Sequence, residues 1–239
     1  MKILSIGNSF SEDAQAYLHE AAALSGQQIT CFNMMIGGCS LARHYRNMLS
    51  GRKEYTLQVN GENTGIYINL EDVLQAGFSA ITFQQVSSSS TKYETYQPYL
   101  SELVAYARKY APKTPIYIHE TWAYEQGSER IANLGCQDQD DMYRRLHENY
   151  LRAAEEISAD GIIPSGTAFQ HLYRHGAVIH RDGAHAGHGV GRMTLAATWI
   201  QKLTDTDTRG MDWSSLHTAV PVTAEDIALA QEAAWVACH

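Results

Sequence analysis

The chain has 239 residues, of which 44% are hydrophobic and 10% aromatic, so it can form a sizeable core and is not a disordered chain. Its formal net charge of −8 comes from 18 basic and 26 acidic residues without a lysine- and arginine-rich cluster, so we expect no nucleic-acid partner. No apolar run approaches the ~20 residues that span a bilayer. The first predicted strand begins too close to Met1 to leave room for a signal peptide, so the sequence predicts a cytoplasmic protein without a membrane partner.

Strand and helix patterns alternate along the chain, which is typical of an α/β protein with a parallel sheet and helices on both faces. The predicted strands cover residues 1–7, 29–35, 80–83, 116–119 and 162–164. The predicted helices cover residues 14–25, about 100–107, 140–158, 166–173, 188–203 and 223–237, the last with Thr223 as its N-cap. No linker divides the chain, so we expect one domain over residues 1–239. A probable hairpin insertion at 55–70, around Asn60-Gly61, is expected to lie outside the central sheet.

Ser9 is the strongest candidate for a nucleophile. It follows the first strand in the turn-prone segment Gly7-Asn8-Ser9, and Ser11 is predicted to cap the helix that comes next. The positive end of that helix and its free backbone N–H groups would lie beside Ser9 and could hold an oxyanion. Far along the chain, Asp182 precedes His185 by three residues and could orient its imidazole. These residues form a candidate Ser-His-Asp triad.

The two motifs and their order also carry a resemblance. Gly7-Asn8-Ser9-Phe10-Ser11 near the start and Asp182-x-x-His185 near the end resemble the SGNH, or GDSL-type, hydrolase family. The resemblance implies a flavodoxin-like three-layer α/β/α sandwich with a parallel central sheet. It also implies that Asn33–Ser40 is the family's second block, in which the N–H of Gly38 or Gly37 serves the oxyanion hole together with that of Ser9.

The third block departs from the family pattern. The family usually has Gly-x-Asn-Asp after its third strand, whereas this chain has Phe83-Gln84-Gln85-Val86-Ser87. A glutamine carboxamide offers the same donor on a longer stem, so Gln84, or else Gln85, is expected to complete the oxyanion hole. The alternative is that the missing asparagine marks a binding module that has lost turnover.

Loops at the carboxyl ends of parallel strands meet in one crevice, where we expect Ser9, Gly38, Gln84 and Trp122 to converge. Three residues are candidates for substrate binding, the two aromatic ones because their rings can stack on a sugar: Trp122, Tyr124 and Gln85. Three further side chains either bind a substrate carboxylate or are simply solvated: Arg43, His44 and Arg181. Four scattered cysteines without a CxxC spacing favour free thiols: Cys31, Cys39, Cys136 and Cys238.

Together these features predict a serine esterase that hydrolyses small acyl esters, preferably O-acetyl groups on a saccharide, through an acyl-enzyme and without a cofactor. The resemblance leaves a thioesterase or lipid esterase open. A metal-dependent hydrolase is a further alternative, because five histidines lie close together and two of them have the i,i+4 spacing of helical metal ligands. These are His171, His175, His180, His185 and His188.

Overall fold

Seven strands form one sheet in a computed structural model that describes residues 1–239. The strands are β1 (Lys2–Gly7), β2 (Thr30–Met35), β3 (Tyr55–Val59), β4 (Glu62–Ile68), β5 (Ala80–Phe83), β6 (Ile116–His119) and β7 (Gly161–Ile163). Their order across the sheet is β4-β3-β2-β1-β5-β6-β7. The five strands from β2 to β7 in this order are parallel, whereas β3 and β4 form an antiparallel hairpin at one edge.

Ten helices accompany the sheet: α1 (Ser9–Gln15), α2 (Leu18–Leu24), α3 (Leu41–Ser50), α4 (Leu70–Leu74), α5 (Tyr99–Tyr110), α6 (Glu129–Asn133), α7 (Gln139–Glu156), α8 (Ser165–Arg174), α9 (Val190–Thr204) and α10 (Ala224–Cys238). One group packs around α9 and contains α1, α2, α8 and α10. A second group packs around α5 and contains α3 and α4. The fold class is therefore α/β, as predicted. None of the helices combines the length and the apolarity needed to cross a bilayer.

The predicted position of the hairpin is wrong. Its turn lies at Asn60-Gly61, where both residues have positive φ as a tight hairpin turn requires. Strand β3, however, pairs with β2 over Phe32–Met35, so the hairpin extends the central sheet instead of lying outside it. The reason is that β2 would otherwise be an edge strand with unpaired backbone groups, and β3 satisfies them.

The strands of the parallel sheet begin and end within two residues of their predicted positions. Helix α10 begins after Thr223, which caps it in a capping box with Asp226 as predicted. Three helices were not predicted, α3, α4 and α6. Helix α3 was missed because the residues that it buries are Leu41, His44 and Asn47, which give no hydrophobic periodicity.

The parallel strands place four loops at one edge of the sheet. These loops follow β2, β1, β5 and β6, and they lie side by side in that order because the strands do. A fifth segment, residues 180–189, belongs to no helix or strand and connects α8 to α9. It carries Asp182 and His185 to the same edge.

Candidate active site

Ser9, His185 and Asp182 lie in one continuous line of hydrogen bonds. The Ser9 Oγ and the His185 Nε2 are 2.9 Å apart, and the His185 Nδ1 lies 2.7 Å from the Asp182 carboxylate. A carboxylate can only accept, so Nδ1 carries the proton and donates it, which leaves Nε2 free to accept the hydroxyl proton of Ser9. This is the arrangement that activates a serine nucleophile.

Asp182 also fixes the backbone of its own turn. Its Oδ1 accepts hydrogen bonds from the N–H groups of Ala184 and His185, at 3.1 and 2.8 Å. Partial burial raises the pKa of the Asp182 carboxyl, but the hydrogen bonds from His185 and Ala184 outweigh it and hold this pKa well below its usual range. The carboxylate therefore stays charged at neutral pH, where it can stabilise a protonated His185.

Ser9 is the first residue of α1, one position after an N-cap. The cap is Asn8 and not Ser11, because the Asn8 Oδ1 accepts from the Phe10 N–H and the Asn8 N–H donates to the Ser11 Oγ. The N-cap therefore lies three residues before Ser11, which was expected to cap the helix. Gly7 permits this tight junction, since a Cβ at position 7 would lie 2.3 Å from the Ser11 Oγ.

The first helical turn has backbone N–H groups without carbonyl partners in the helix, and that of Ser9 is one of them. Gly37 and Gly38 line the same cleft as Ser9, and Gly38 has a φ of +60°, which glycine adopts without strain. The structure therefore brings both backbone segments of the expected oxyanion hole to the nucleophile.

The Gln84 side chain does not line the cleft. It is 2% exposed, and its Nε2 donates to the Asn8 Oδ1 at 2.9 Å while its Oε1 accepts from the His119 Nδ1 at 2.8 Å. Asn8 in turn donates to the Cys39 carbonyl, and the His119 Nε2 accepts from the Ser165 hydroxyl. These five groups form a buried row that crosses the sheet edge in strand order, from the loop after β2 to the start of α8. We name it the Asn8 row.

The Asn8 row contains no charged group. Burial lowers the pKa of His119 to about 3, so this imidazole is neutral at neutral pH. A neutral imidazole has one donor and one acceptor, and these match the Gln84 carbonyl and the Ser165 hydroxyl. The row thus links the turn that carries Ser9 and the Gly38 loop to the sheet through uncharged hydrogen bonds, and the Gln84 side chain lies in this row and not at its expected position in the oxyanion hole.

Gln85 is also turned away from the cleft. Its Oε1 accepts from the N–H groups of Leu41 and Val86, and its Nε2 donates to Thr95. The expectation that Gln85 completes the oxyanion hole or binds substrate is therefore not supported by its contacts, which join the loop after β5 to the start of α3.

The two aromatic residues predicted to bind a sugar have different positions. Trp122 is fully buried between Phe10 and Phe169, with ring centroids 4.3 and 4.7 Å away, and its Nε1 donates to the Ala184 carbonyl. Trp122 therefore contacts α1 and the segment that carries His185 from the core side. Its predicted contact with substrate is wrong. Tyr124 does line the cleft, and its hydroxyl lies 2.8 Å from the Ser87 Oγ.

None of the three side chains considered for a substrate carboxylate reaches the cleft. His44 is buried against the Tyr55 hydroxyl, and Arg43 is exposed on α3 outside the cleft lining. Arg181 donates to Asp13 at 2.7 Å, and Arg192 donates to the same carboxylate with two nitrogens. Asp13 itself is completely buried on α1.

The buried Asp13 therefore joins the nucleophile helix to the segment that carries the base. Its second oxygen accepts from the Ala186 N–H, one residue after His185, at 3.1 Å. We name Asp13 with Arg181 and Arg192 the Asp13 clamp. Sequence analysis missed it because its members are 168 and 179 residues apart and only the fold brings them together.

The clustered histidines do not converge. His171 near the end of α8 and its C-cap His175 have tilted rings 4.2 Å apart, the His180 Nε2 lies against the Ala123 carbonyl, and His185 belongs to the candidate triad. No three His, Cys, Asp or Glu side chains lie together in an arrangement that could hold a metal ion.

The cleft around Ser9 has a volume of about 430 Å³, within the range of small-molecule sites. Four of its twelve lining residues are hydrophobic, and the remainder are small or polar. Arg130, on α6, also lines the cleft and was not recognised from the sequence. The sequence does show that Arg130 follows β6, the strand that ends at His119. The pattern of a polar loop does not indicate which of its side chains faces the cleft.

Comparisons with known proteins show the family of this chain. The model of the family DUF4886, a domain of unknown function, matches residues 2–237. A DUF4886 family protein from Bacteroides uniformis has a TM-score of 0.89 and 34% identity, over 98% of this chain and 93% of that one. No protein of curated function is significantly similar in sequence.

More distant solved structures share the fold. A protein from Slackia heliotrinireducens, described as a proposed SGNH hydrolase, has a TM-score of 0.61 and 23% identity over 84% of this chain and 97% of that one. An acetylxylan esterase from Geobacillus stearothermophilus has a TM-score of 0.55 and 15% identity over 85% and 94%. The predicted SGNH hydrolase fold is confirmed.

Proposed function

Since this chain belongs to the DUF4886 family and has the SGNH hydrolase fold, we propose that it is a serine esterase that hydrolyses small acyl esters, O-acetyl esters of saccharides foremost. The observation that carries the proposal is the Ser9–His185–Asp182 line of hydrogen bonds, which ends in an open cleft. The two sequence motifs and these hydrogen bonds involve the same three residues.

In the first step, the Ser9 oxygen attacks the ester carbonyl carbon while His185 takes the hydroxyl proton at Nε2. Negative charge develops on the carbonyl oxygen, and the N–H groups of Ser9 and Gly38 stabilise it. The C–O bond to the alcohol then breaks, and His185 returns the proton to the departing alcohol oxygen. The acyl group remains on Ser9 as an ester.

In the second step, water replaces the alcohol. His185 removes a proton from this water as its oxygen attacks the acyl-enzyme, and the same N–H groups stabilise the second oxyanion. Collapse releases the carboxylic acid and returns the proton to Ser9. Asp182 keeps the imidazole in the required tautomer and stabilises its charged form in both steps.

The preference for short acyl groups on a polar alcohol rests on the cleft. Most of its lining is polar or small, and its hydrophobic members are Phe10, Val86, Tyr124 and Ala184. They do not suffice for an extended apolar groove, which a long acyl chain would require. One protein of the same fold is an acetylxylan esterase, which makes acetylated saccharides the first substrates to test.

The test combines hydrolysis of a chromogenic acetate with labelling by a serine-reactive fluorophosphonate. We expect the adduct on Ser9, and Ser9→Ala should lower kcat by at least about 10³-fold without unfolding the protein, because the triad acts as a unit. The matched control is Ser88→Ala, since Ser88 lines the same cleft without a histidine partner. Retained turnover in folded Ser9→Ala, or inactivation by a chelator that zinc reverses, would reject the mechanism.

The same assay tests the substrate class with acyl esters from acetate to octanoate and with an acetylated oligosaccharide. We expect kcat/KM to fall with acyl length and acetate to be released from the saccharide. A steady rise towards octanoate without saccharide deacetylation would favour a lipid esterase while leaving the triad in place.

A further inference from the structure

Arg130 is the only permanently charged side chain that lines the cleft. No carboxylate of the protein lies within ion-pair distance of it, whereas seven other arginines have one. These are Arg144, Arg145, Arg152, Arg174, Arg181, Arg192 and Arg209. Although the protein has a net charge of −8, its cleft therefore contains a cation. The N–H donors of this guanidinium are available to bind an anionic ligand.

The strand order places the loops that carry Gly38 and Arg130 on opposite sides of the Ser9 loop. Gly38 follows β2 on one side of β1, while Tyr124 and Arg130 follow β6, two strands away on the other side. Two strand spacings amount to about 10 Å. The Arg130 guanidinium lies 5.8 Å from the centre of the Tyr124 ring, whose hydroxyl is fixed against Ser87. Gly38 and Arg130 thus line one cleft from loops that lie on opposite sides of the Ser9 loop.

We propose that Arg130 binds a carboxylate on the alcohol part of the substrate, so that the preferred substrates are acetyl esters of acidic sugars such as uronic acids. This inference rests on the proposed esterase function. With the carbonyl oxygen at Ser9 and Gly38, an acetyl group offers only a methyl, so a group that reaches Arg130 must belong to the alcohol. A guanidinium matches a carboxylate with two parallel hydrogen bonds.

The test compares two acetylated glycosides that differ only in a carboxylate, an O-acetylated methyl glucuronoside and the corresponding methyl glucoside. Arg130→Gln should lower kcat/KM for the acidic substrate about fivefold, mainly through KM, since an exposed charged pair contributes on the order of 1 kcal/mol. The value for the neutral substrate should stay within about twofold. Arg130→Lys should have a kcat/KM for the acidic substrate between those of Arg130→Gln and the unaltered protein. The matched control is Arg52→Gln, since Arg52 is an exposed arginine just after the C-terminal end of α3, has no carboxylate partner and does not line the cleft.

Binding to inactive Ser9→Ala separates this inference from the proposed function. Titration calorimetry with the deacetylated glycosides should show tighter binding of the acidic one, and Arg130→Gln in the Ser9→Ala background should remove the difference. Equal binding of both glycosides, or a difference that survives Arg130→Gln, would overturn the inference even if Ser9 is an active nucleophile. Tighter binding of a sugar phosphate than of the uronoside would also overturn the carboxylate assignment. A cleft that prefers the uronoside but lacks turnover and fluorophosphonate labelling would reject the esterase while supporting the role of Arg130.

Discussion

The nucleophile and the base of the candidate triad are supported by different chemistry. Ser9 begins a helix, and the Asn8 row beneath it consists of uncharged hydrogen bonds between groups at successive strand ends. His185 lies in a segment without regular structure, and the Asp13 clamp ties that segment to α1 through a buried carboxylate and two guanidinium groups. One support is uncharged and the other ionic because the Asn8 row orients a helix and the Asp13 clamp attaches an irregular segment.

A helix that leaves a strand already has its direction from the backbone, so the Asn8 row needs only to fix the orientation of the turn. Neutral groups do this without the desolvation cost of a charge. The segment 180–189 has only an isolated backbone bridge between His180 and Ala186, and a multidentate ionic contact supplies the stronger attachment that it requires. We therefore expect the Asp13 clamp to matter most for stability and the Asn8 row to matter most for the rate of the chemical step.

The largest effect is predicted for Asp13→Asn. The substitution leaves two guanidinium groups facing a neutral amide in a buried position, so the free energy of unfolding should fall by about 3–5 kcal/mol. Because Ala186 also loses an acceptor, His185 should shift and kcat should fall as well. Denaturant unfolding and steady-state kinetics measure both quantities.

The control for the clamp is Glu148→Gln, which removes an exposed ion pair with Arg144 and should cost less than about 1 kcal/mol. If Asp13→Asn does not fold, Arg192→Gln is the second variant, since Asp13 keeps Arg181 and the loss should be smaller. Stability and kcat equal to those of the unaltered protein in either variant would show that the clamp does not hold the segment.

The fold was more predictable than the supports of the site. The strands of the parallel sheet are short apolar runs, so local sequence was sufficient for them, and the residues of the candidate triad lie in two compact motifs. The clamp and the row depend on partners far apart in the chain, such as Asp13 with Arg192 or Gln84 with His119. A buried polar side chain looks the same in sequence as one that faces a substrate.

Trp122 illustrates the same limit. A tryptophan just after a parallel strand is placed correctly near the crevice by topology, but topology does not say whether its ring faces the cleft or the core. Here Phe10 and Phe169 hold it in the core. Tyr124, two residues further on, lines the cleft instead.

The next prediction concerns Gln84→Ala, which should lower kcat by about 10- to 100-fold and leave KM nearly unchanged. The change removes the donor to Asn8 and the acceptor for His119, so the turn that carries Ser9 loses its fixed orientation, and small misplacements of a nucleophile are costly. The matched control is Gln231→Ala, a buried glutamine on α10 that donates to the Met211 carbonyl. It should lower stability comparably while kcat is retained.

A double-mutant cycle with Asn8→Ala distinguishes positioning from direct contact. If Gln84 acts through Asn8, the double variant should be little slower than Asn8→Ala alone, since both changes remove the same link. Fully additive losses in the activation free energy would instead place the Gln84 amide at the oxyanion, as the family pattern first suggested.

The smallest effect concerns acid. Burial lowers the pKa of His119 to about 3, below its ordinary value of 6.5, and the groups around it are Gln84, Ser165, Trp122 and Trp199, none of them charged. Between those two pH values the unfolded chain binds a proton that the folded protein does not. Stability from this histidine is therefore fully present above pH 6.5 and is lost as the pH falls, at about 1.4 kcal/mol per pH unit.

Replacing His119 by glutamine, which also has a donor and an acceptor, should reduce the slope of unfolding free energy against pH by about that amount between pH 6 and 5. Gln231→Ala, which removes a buried glutamine and no titratable group, is the control and should leave the slope unchanged. An unaltered slope in His119→Gln would mean that His119 accepts a proton in the folded protein. The Asn8 row would then not be a neutral support, and its contrast with the ionic Asp13 clamp would not hold.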